Sequence, residues 1–279
     1  MFDIVEKLNT ATIQHGKAND RIYLMNIGSE PVQRIIHEIE QLAAKHSYTK
    51  LFCKIPEKYN TQFIRNNYKQ EAYIPKFFNG KKTVSFMSKF LDTSRGILTK
   101  DEKKSIKKII SLANSKKNSY NPEKANNFYF KILDKDDIPA LKNVYKTVFA
   151  SYPFPIFQEN YLLETMTNNI VYFGAFFKGK LVSASSAEMD IKARNVEMTD
   201  FATLPDYRGN SLSVILLDEM EKEMKKRDIK TAYTIARALS AGMNITFSKM
   251  NYTYTGTLIH NTNIAGSIES MNIWFKNLI

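Results

Sequence analysis

The sequence predicts an α/β protein built on a mixed sheet, and three observations carry that reading. The 279 residues are 43% apolar and 24% charged, the balance of a folded globular chain. Strand-like and helix-like segments alternate through the second half. Within that half an antiparallel hairpin precedes a β-α-β unit, so one sheet must hold both parallel and antiparallel neighbours. The length suits one large domain or two modest ones.

Composition excludes several classes. The lone cysteine, Cys53, rules out an intramolecular disulfide framework and a Cys-rich zinc site. His15, His37, His46 and His260 show no metal-ligand spacing, so no metal cofactor is expected. No apolar run approaches the ~18 residues of a membrane span. The first residues lack a basic stretch leading into an apolar one, so no signal peptide is expected. The expected setting is soluble, reducing and cytoplasmic. Charge is uneven: residues 1–126 hold 23 Lys+Arg against 12 Asp+Glu, and residues 127–279 hold 17 against 16. Such an excess can attract nucleic acid or anionic lipid, but no nucleic-acid motif accompanies it, and a solvated lysine-rich surface is the expectation.

Taken in order, the first predicted helix is Pro31–Ala44, with Val32, Ile35, Ile36, Ile39 and Leu42 on one face. A strand over Lys50–Ile55 and extended segments over Glu71–Phe78 and Lys82–Phe90 follow. Thr99 and Glu102 form a capping box before Ile106, Ile109, Ile110 and Leu112, which predicts an amphipathic connecting helix whose outer face carries Lys103, Lys104, Lys107 and Lys108. The stretch from Asn114 to Asn126, rich in Asn, Ser and Lys, places a domain boundary.

The second half predicts a strand at Asn127–Leu133, a helix at Asp136–Ala150 and a short helix around Tyr161–Met166. A hairpin joins Ile170–Phe177 to Lys180–Asp190 through Lys178 and Gly179, and Val196–Leu204 is another strand. Leu212, Leu216, Met220 and Met224 recur every four residues in a helix closed by Lys225, Lys226 and Arg227, which suit its C-terminal dipole. Thr231–Arg237, Gly242–Met250, Tyr252–His260 and Ser267–Phe275 complete the order as strand, helix, strand and strand.

The chemistry is concentrated in the loop Pro205–Asn210, which opens from a strand directly into that helix. Backbone N–H groups at a helix start are unpaired and carry positive potential, so they can cradle pyrophosphate, with Gly209 allowing close approach and Arg208 adding charge. An ordinary βα turn explains a single glycine about as well. In this succession of elements, however, the loop resembles the acetyl-CoA-binding core of the GNAT acetyltransferase superfamily. The superfamily signature Gln/Arg-x-x-Gly-x-Gly/Ala falls on Arg208, Gly209, Asn210, Ser211, Leu212 and Ser213, with serine at the two later glycine positions. Further segments, Ser151–Ile156, Glu197–Pro205, Thr234–Ala238, Gly242–Phe247 and Ile268–Trp274, resemble the β-lysine N6-acetyltransferases, which make the compatible solute N6-acetyl-β-lysine.

The resemblance implies acetyl-CoA as co-substrate and a small amine, β-lysine, as acceptor, with another small amine such as lysine or a polyamine as the alternative. A non-catalytic protein with a basic binding half is the competing class; neither nucleic acid nor membrane is expected as a partner. The resemblance gives Phe201, Ala202, Thr203 and Leu204 the role of a splayed strand whose backbone meets the pantetheine arm. Glu197 falls at the position of the general-base glutamate, although a salt bridge or an ammonium anchor fits it equally. Asp200 lies three residues on, so the two share a site only if a bulge intervenes. Phe247 stands where many relatives of this fold carry a thiol-protonating tyrosine, leaving Ser248, Tyr233 or Tyr252 as candidate acids, or a thiolate that departs unassisted. Asn244 can contact pantetheine or lie plainly on its helix. Tyr152 and Phe154 are candidate acceptor contacts or core closure, and Arg237 either binds a substrate carboxylate or pairs with a neighbouring acid.

The first half carries a possible echo of the second. Phe63, Arg65, Asn67 and Tyr68 repeat the pattern of Phe247, Lys249, Asn251 and Tyr252 after a helix and a strand. The expected architecture is therefore a degenerate GNAT-like domain at 1–91, a basic helical linker at 92–126 and a GNAT domain at 127–279. The first copy has no basic residue at its helix start and is not expected to bind CoA.

Overall fold

The computed structural model describes residues 3–120, 127–264 and 266–278, so the last part of the expected linker, 121–126, lies outside the described residues. Two mixed sheets organise the chain. The first contains Ile4–Leu8 (β1), Ala11–Gly16 (β2), Arg21–Asn26 (β3), Lys50–Pro56 (β4), Lys69–Phe78 (β5) and Lys82–Phe90 (β6), in the order β1-β2-β3-β4-β6-β5. Val32–His46 (α1) connects β3 to β4, and Asn60–Arg65 (α2) leads into β5. The periodicity of Val32 to Leu42 gives α1 its buried face of Ile35, Ile36, Ile39 and Ala43.

The second sheet contains Tyr129–Ile132 (β7), Ile170–Phe177 (β8), Lys180–Asp190 (β9), Asn195–Thr203 (β10), Thr231–Arg237 (β11), Thr253–Ile264 (β12) and Ser267–Asn277 (β13), in the order β12-β13-β11-β10-β9-β8-β7. Ile138–Val148 (α4), Glu159–Asn168 (α5), Leu212–Lys226 (α6) and Ala241–Lys249 (α7) cover it. The hairpin at Lys178 and Gly179 turns with both residues at positive φ, as a two-residue connection requires.

The three opening strands have no counterpart in the sequence reading. Their pattern is concealed because β1 is almost wholly exposed while β2 buries the polar Gln14 and His15. The predicted connecting helix is Lys100–Asn114 (α3), with the Thr99–Glu102 capping box formed in both directions. It lies against α7, burying Ile106 and Ala113 and leaving its four lysines exposed.

The echo in the first half is visible in the topology. β3 runs parallel to β4, which pairs antiparallel with β6 and then β5; β10 runs parallel to β11, which pairs antiparallel with β13 and then β12. Phe63 and Tyr68 meet edge to face with centroids 5.0 Å apart, and so do Phe247 and Tyr252 at 5.0 Å. Asn67 and Asn251 both turn at φ 65°. The loop before α1 is closed on itself, however. Gly28 N–H donates to Asn26 Oδ1 at 2.9 Å and Ser29 N–H to Thr10 Oγ1 at 3.0 Å, so these two loop donors are already spent.

The two sheets join through an apolar layer of Tyr23, Phe52, Phe77, Phe86, Tyr233, Leu258, Met271 and Ile273. Beside it, β5 and β12 touch backbone to backbone at Gly256, where an added Cβ would stand 2.0 Å from Glu71 O and 2.8 Å from Ala72 Cα. Gly256→Ala is therefore expected to cost about 3 kcal/mol of stability by overpacking, measured by denaturant unfolding. A loss within 0.5 kcal/mol would mean that the contact between halves yields freely.

Candidate active site

β10 leaves its neighbour midway. It pairs with β11 only from Asn195↔Thr231 to Glu197↔Tyr233, and beyond Glu197 that edge is unpaired while the opposite edge stays on β9. The β9 ladder shifts between Thr199 and Ala202, where β10 inserts one extra residue, and Asp200 adopts φ 55° there. This is the bulge needed to bring Glu197 and Asp200 to one side, and both line the same cavity.

That cavity, of about 190 Å³, lies between the two sheets. The second half contributes Tyr152, Phe154, Glu188, Glu197, Asp200, Phe201, Tyr233, Arg237, Met243 and Phe247. The first half contributes Gln14, Arg21, Tyr23, Met25, Phe52 and Lys54. Three carboxylates therefore share one small space. Burial, then the neighbouring Glu188 charge, pushes the Glu197 carboxyl up to about 8; Lys54 and a hydrogen bond from Tyr233 act the other way. Glu188 is also raised, by burial, against the pull of Lys54. Burial works against the Lys54 ammonium, but the facing Tyr23, Glu197 and Glu188 outweigh it and hold its pKa above the ordinary value.

Asp200 is occupied in a different way. It accepts hydrogen bonds from the Tyr152 hydroxyl and from Ser186 Oγ at 2.5 Å, which oppose the upward shift that burial causes. It thereby ties the Tyr152 loop to β10, and Phe154 reaches the cavity from the same loop. Arg237 forms a two-pronged pair with Glu269 on β13, Nε to Oε2 at 2.8 Å and Nη2 to Oε1 at 2.5 Å. Phe247 is fully buried and meets Phe201 edge to face at 5.6 Å, forming a wall.

A second cavity, of about 610 Å³, opens beside the first and shares Phe201 and Met243 with it. Thr203, Arg208, Gly209, Ser211, Leu212 and Ser213 line it, with Ser240, Gly242 and Thr246 opposite. Gly209 at φ 86° and Ser211 at φ 59° turn the loop so that α6 starts at this opening. Among the described residues, the N–H groups from Gly209 to Ser213 find no acceptor. This is the arrangement of an anion cradle.

Not every expected residue joins these cavities. Asn244 is fully buried and spent: its Nδ2 donates to Arg237 O and Ser240 O, and its Oδ1 accepts from Asn272 Nδ2 and Trp274 Nε1, each bond between 2.8 and 3.0 Å. The structure thus corrects its expected contact with pantetheine, because no donor or acceptor is left over. Asn210 is exposed and closes the loop through Tyr207 O. The side chains of Ala202 and Leu204 enter the core, so only their backbone can face a ligand. Ser248 and Tyr252 are buried away from both cavities, whereas Tyr233 lines the first. His260 is satisfied by Arg95 O at 2.8 Å and Glu102 at 3.0 Å. Glu188, Lys54, Arg21 and Tyr23 escaped the sequence reading; for Lys54 the available signal was a lone charge inside the apolar run from Leu51 to Ile55.

A mixed sheet splayed at its fourth strand, with a phosphate-type cradle at the next helix, defines an acyltransferase of the GNAT class. Residues 138–242 match the model of the acetyltransferase (GNAT) family. A β-lysine N(6)-acetyltransferase of Methanococcus maripaludis is 40% identical over 277 residues, 99% of each chain. Another of that name, from Methanosarcina mazei, is 32% identical over 88% of this chain and 97% of its own, and the N-acetyltransferase YodP of Bacillus subtilis is 31% identical over 96% of each. The chain belongs to the GNAT acetyltransferases, within the family that holds these β-lysine N(6)-acetyltransferases.

The raised Glu197 carboxyl has a consequence for stability. Between its ordinary pKa of 4.5 and about 8 the folded protein holds a proton that the unfolded chain has released, so stability falls as pH rises through this window. Glu197→Gln is expected to melt above the wild type at pH 8 and to match it near pH 4. A melting difference that does not change with pH would contradict this environment.

Proposed function

We propose that this protein transfers the acetyl group of acetyl-CoA to the terminal amine of β-lysine, giving N6-acetyl-β-lysine. The observation that carries the proposal is the meeting of an anion cradle and an acid-lined cavity at Phe201 and Met243. The pyrophosphate of CoA belongs on the N–H groups of Gly209–Ser213, and the unpaired edge of β10 offers its backbone to the pantetheine arm. The thioester then lies toward Phe201 and Phe247, facing the carboxylates.

β-Lysine brings two ammonium groups and one carboxylate. An amine with an ordinary pKa near ~10.4 is protonated at neutral pH and cannot attack until it loses a proton. Glu197 accepts that proton; its raised pKa suits the task because a base near the working pH is most effective. Glu188 supplies further negative potential that favours the ammonium on entry. The free amine attacks the thioester carbonyl, the C–N bond forms as the C–S bond breaks, CoA leaves as thiolate, and the second proton released by the nitrogen replaces the one that the thiolate takes up. Phe247 offers no proton, so of the candidate hydroxyls Tyr233, the one lining this cavity, is best placed to supply it. Acetylation removes one positive charge and leaves a net-neutral zwitterion, a chemistry suited to a compatible solute in the cytoplasm.

Acetyl-CoA turnover with β-lysine, lysine and polyamines tests the substrate. β-Lysine is expected to give the highest kcat/KM, and preference for another amine would move the acceptor class. For the base, kcat/KM is expected to rise with pH toward a plateau above about 8. Glu197→Gln should lose that limb and about 10²–10⁴-fold in kcat with CoA affinity intact. A near-normal kcat with a raised KM for the amine would make Glu197 an ammonium anchor instead. Gly209→Asp places a negative charge at the cradle and strains the φ of 86°, while its Cβ points into open space. The variant should fold and bind CoA at least tenfold more weakly, read by calorimetry; unchanged affinity would put the cofactor elsewhere.

A further inference from the structure

Three cations line the cavity between the sheets: Arg21, Lys54 and Arg237. Arg237 is committed to Glu269, and Lys54 faces Glu188 and Glu197. Arg21 is 4% exposed, and among the described residues no carboxylate lies within ion-pairing distance of it. Its Nη1 donates to the neutral Asn261 O and to Thr262 Oγ1 at 3.2 Å, while its Nε is buried without a partner. Gln14 Nε2 and Asn261 Oδ1 are likewise buried and unpartnered, and both residues line the same cavity at 1% exposure. Buried polar atoms are left without partners only rarely, and a buried guanidinium is costly without an anion. Three such atoms together, two donors and one acceptor, describe a ligand that carries a negative group beside a donor.

We propose that Gln14, Arg21 and Asn261 form the subsite for the amino-acid head group of the acceptor, its carboxylate on Gln14 and Arg21 and its 3-ammonium on Asn261 Oδ1. This rests on the β-lysine reading above and assigns selection of an amino acid over a plain diamine to the half that does not cradle CoA. The register places the two groups together. β3 and β4 run parallel with Arg21 level with Lys50 and Tyr23 level with Phe52, and Gln14 pairs with Tyr23, so Gln14 and Arg21 lie two and four residues along the sheet from Lys54. The Arg21 guanidinium stands 5.4 Å from the centroids of both the Tyr23 and Phe52 rings, at the level of Gln14.

The test compares β-lysine with pentane-1,4-diamine, the same molecule without its carboxylate. The wild type should favour β-lysine at least tenfold in kcat/KM. Gln14→Leu removes an amide that bonds nothing among the described residues, so its melting temperature should hold or rise while KM for β-lysine increases about tenfold or more and the selectivity ratio falls by the same factor. Arg21→Gln should lower the ratio about 10- to 100-fold, with Arg21→Lys retaining part of it. A Gln14→Leu protein that keeps both its fold and the wild-type ratio overturns the subsite. So does a wild type that acetylates both amines equally, and in that case the β-lysine acetyltransferase reading survives. A wild type that acetylates neither amine removes that reading and the subsite with it.

Discussion

Three buried cations of the N-terminal half each hold a carbonyl on one short run of β12. Lys50 donates to Ile259 O at 2.7 Å, Arg95 to His260 O at 3.0 and 3.1 Å, and Arg21 to Asn261 O. These carbonyls are available because the β12–β13 ladder is broken between Leu258 and Thr262, with His260 at positive φ. Glu71 balances the cluster, pairing with Lys50 at 2.9 Å and accepting Ile259 N–H at 2.7 Å. Burial pushes Lys50 down to about 8 in spite of that partner. Removing either Lys50 or Glu71 would strand the other as a buried charge.

The cavity depends on this junction. Neither sheet encloses it alone, since Glu188, Glu197 and Tyr233 stand on one wall and Tyr23, Phe52 and Lys54 on the other. The low dielectric between the sheets is what raises Glu197 and makes the facing Lys54 effective. The N-terminal half thus has a physical part to play, as the wall that makes the carboxylates behave as buried groups.

Much of this was legible locally. Apolar periodicity located α1 and α6, the capping box located the start of α3, and the hairpin at Lys178 and Gly179 was readable from its turn. The loop at Arg208–Ser213 carried its chemistry in the residues themselves, because a helix start exposes its N–H groups whatever surrounds it. The similarity of Phe63–Tyr68 to Phe247–Tyr252 was also visible in sequence, since an edge-to-face aromatic pair closing a left-handed Asn turn is a local device.

Other features were decided only by packing. Asn244 reads as a pantetheine contact or a helix-surface amide until Asn272 and Trp274 arrive from β13 and consume it. Arg237 reads as a ligand for a substrate carboxylate or as half of an ion pair, and its register on β11 beside Glu269 decides for the pair. Lys54, Arg21 and Gln14 meet the second half across a gap in the chain of more than a hundred residues, and no local pattern specifies which faces will oppose each other. By itself the sequence determined α1, most of the elements after it and the loop that opens into α6, because these follow from backbone chemistry over short spans; the three opening strands it did not reveal. The bulge at Asp200, the splay after Glu197 and the facing of two sheets across one cavity were tertiary decisions, because each depends on the register between strands distant along the chain.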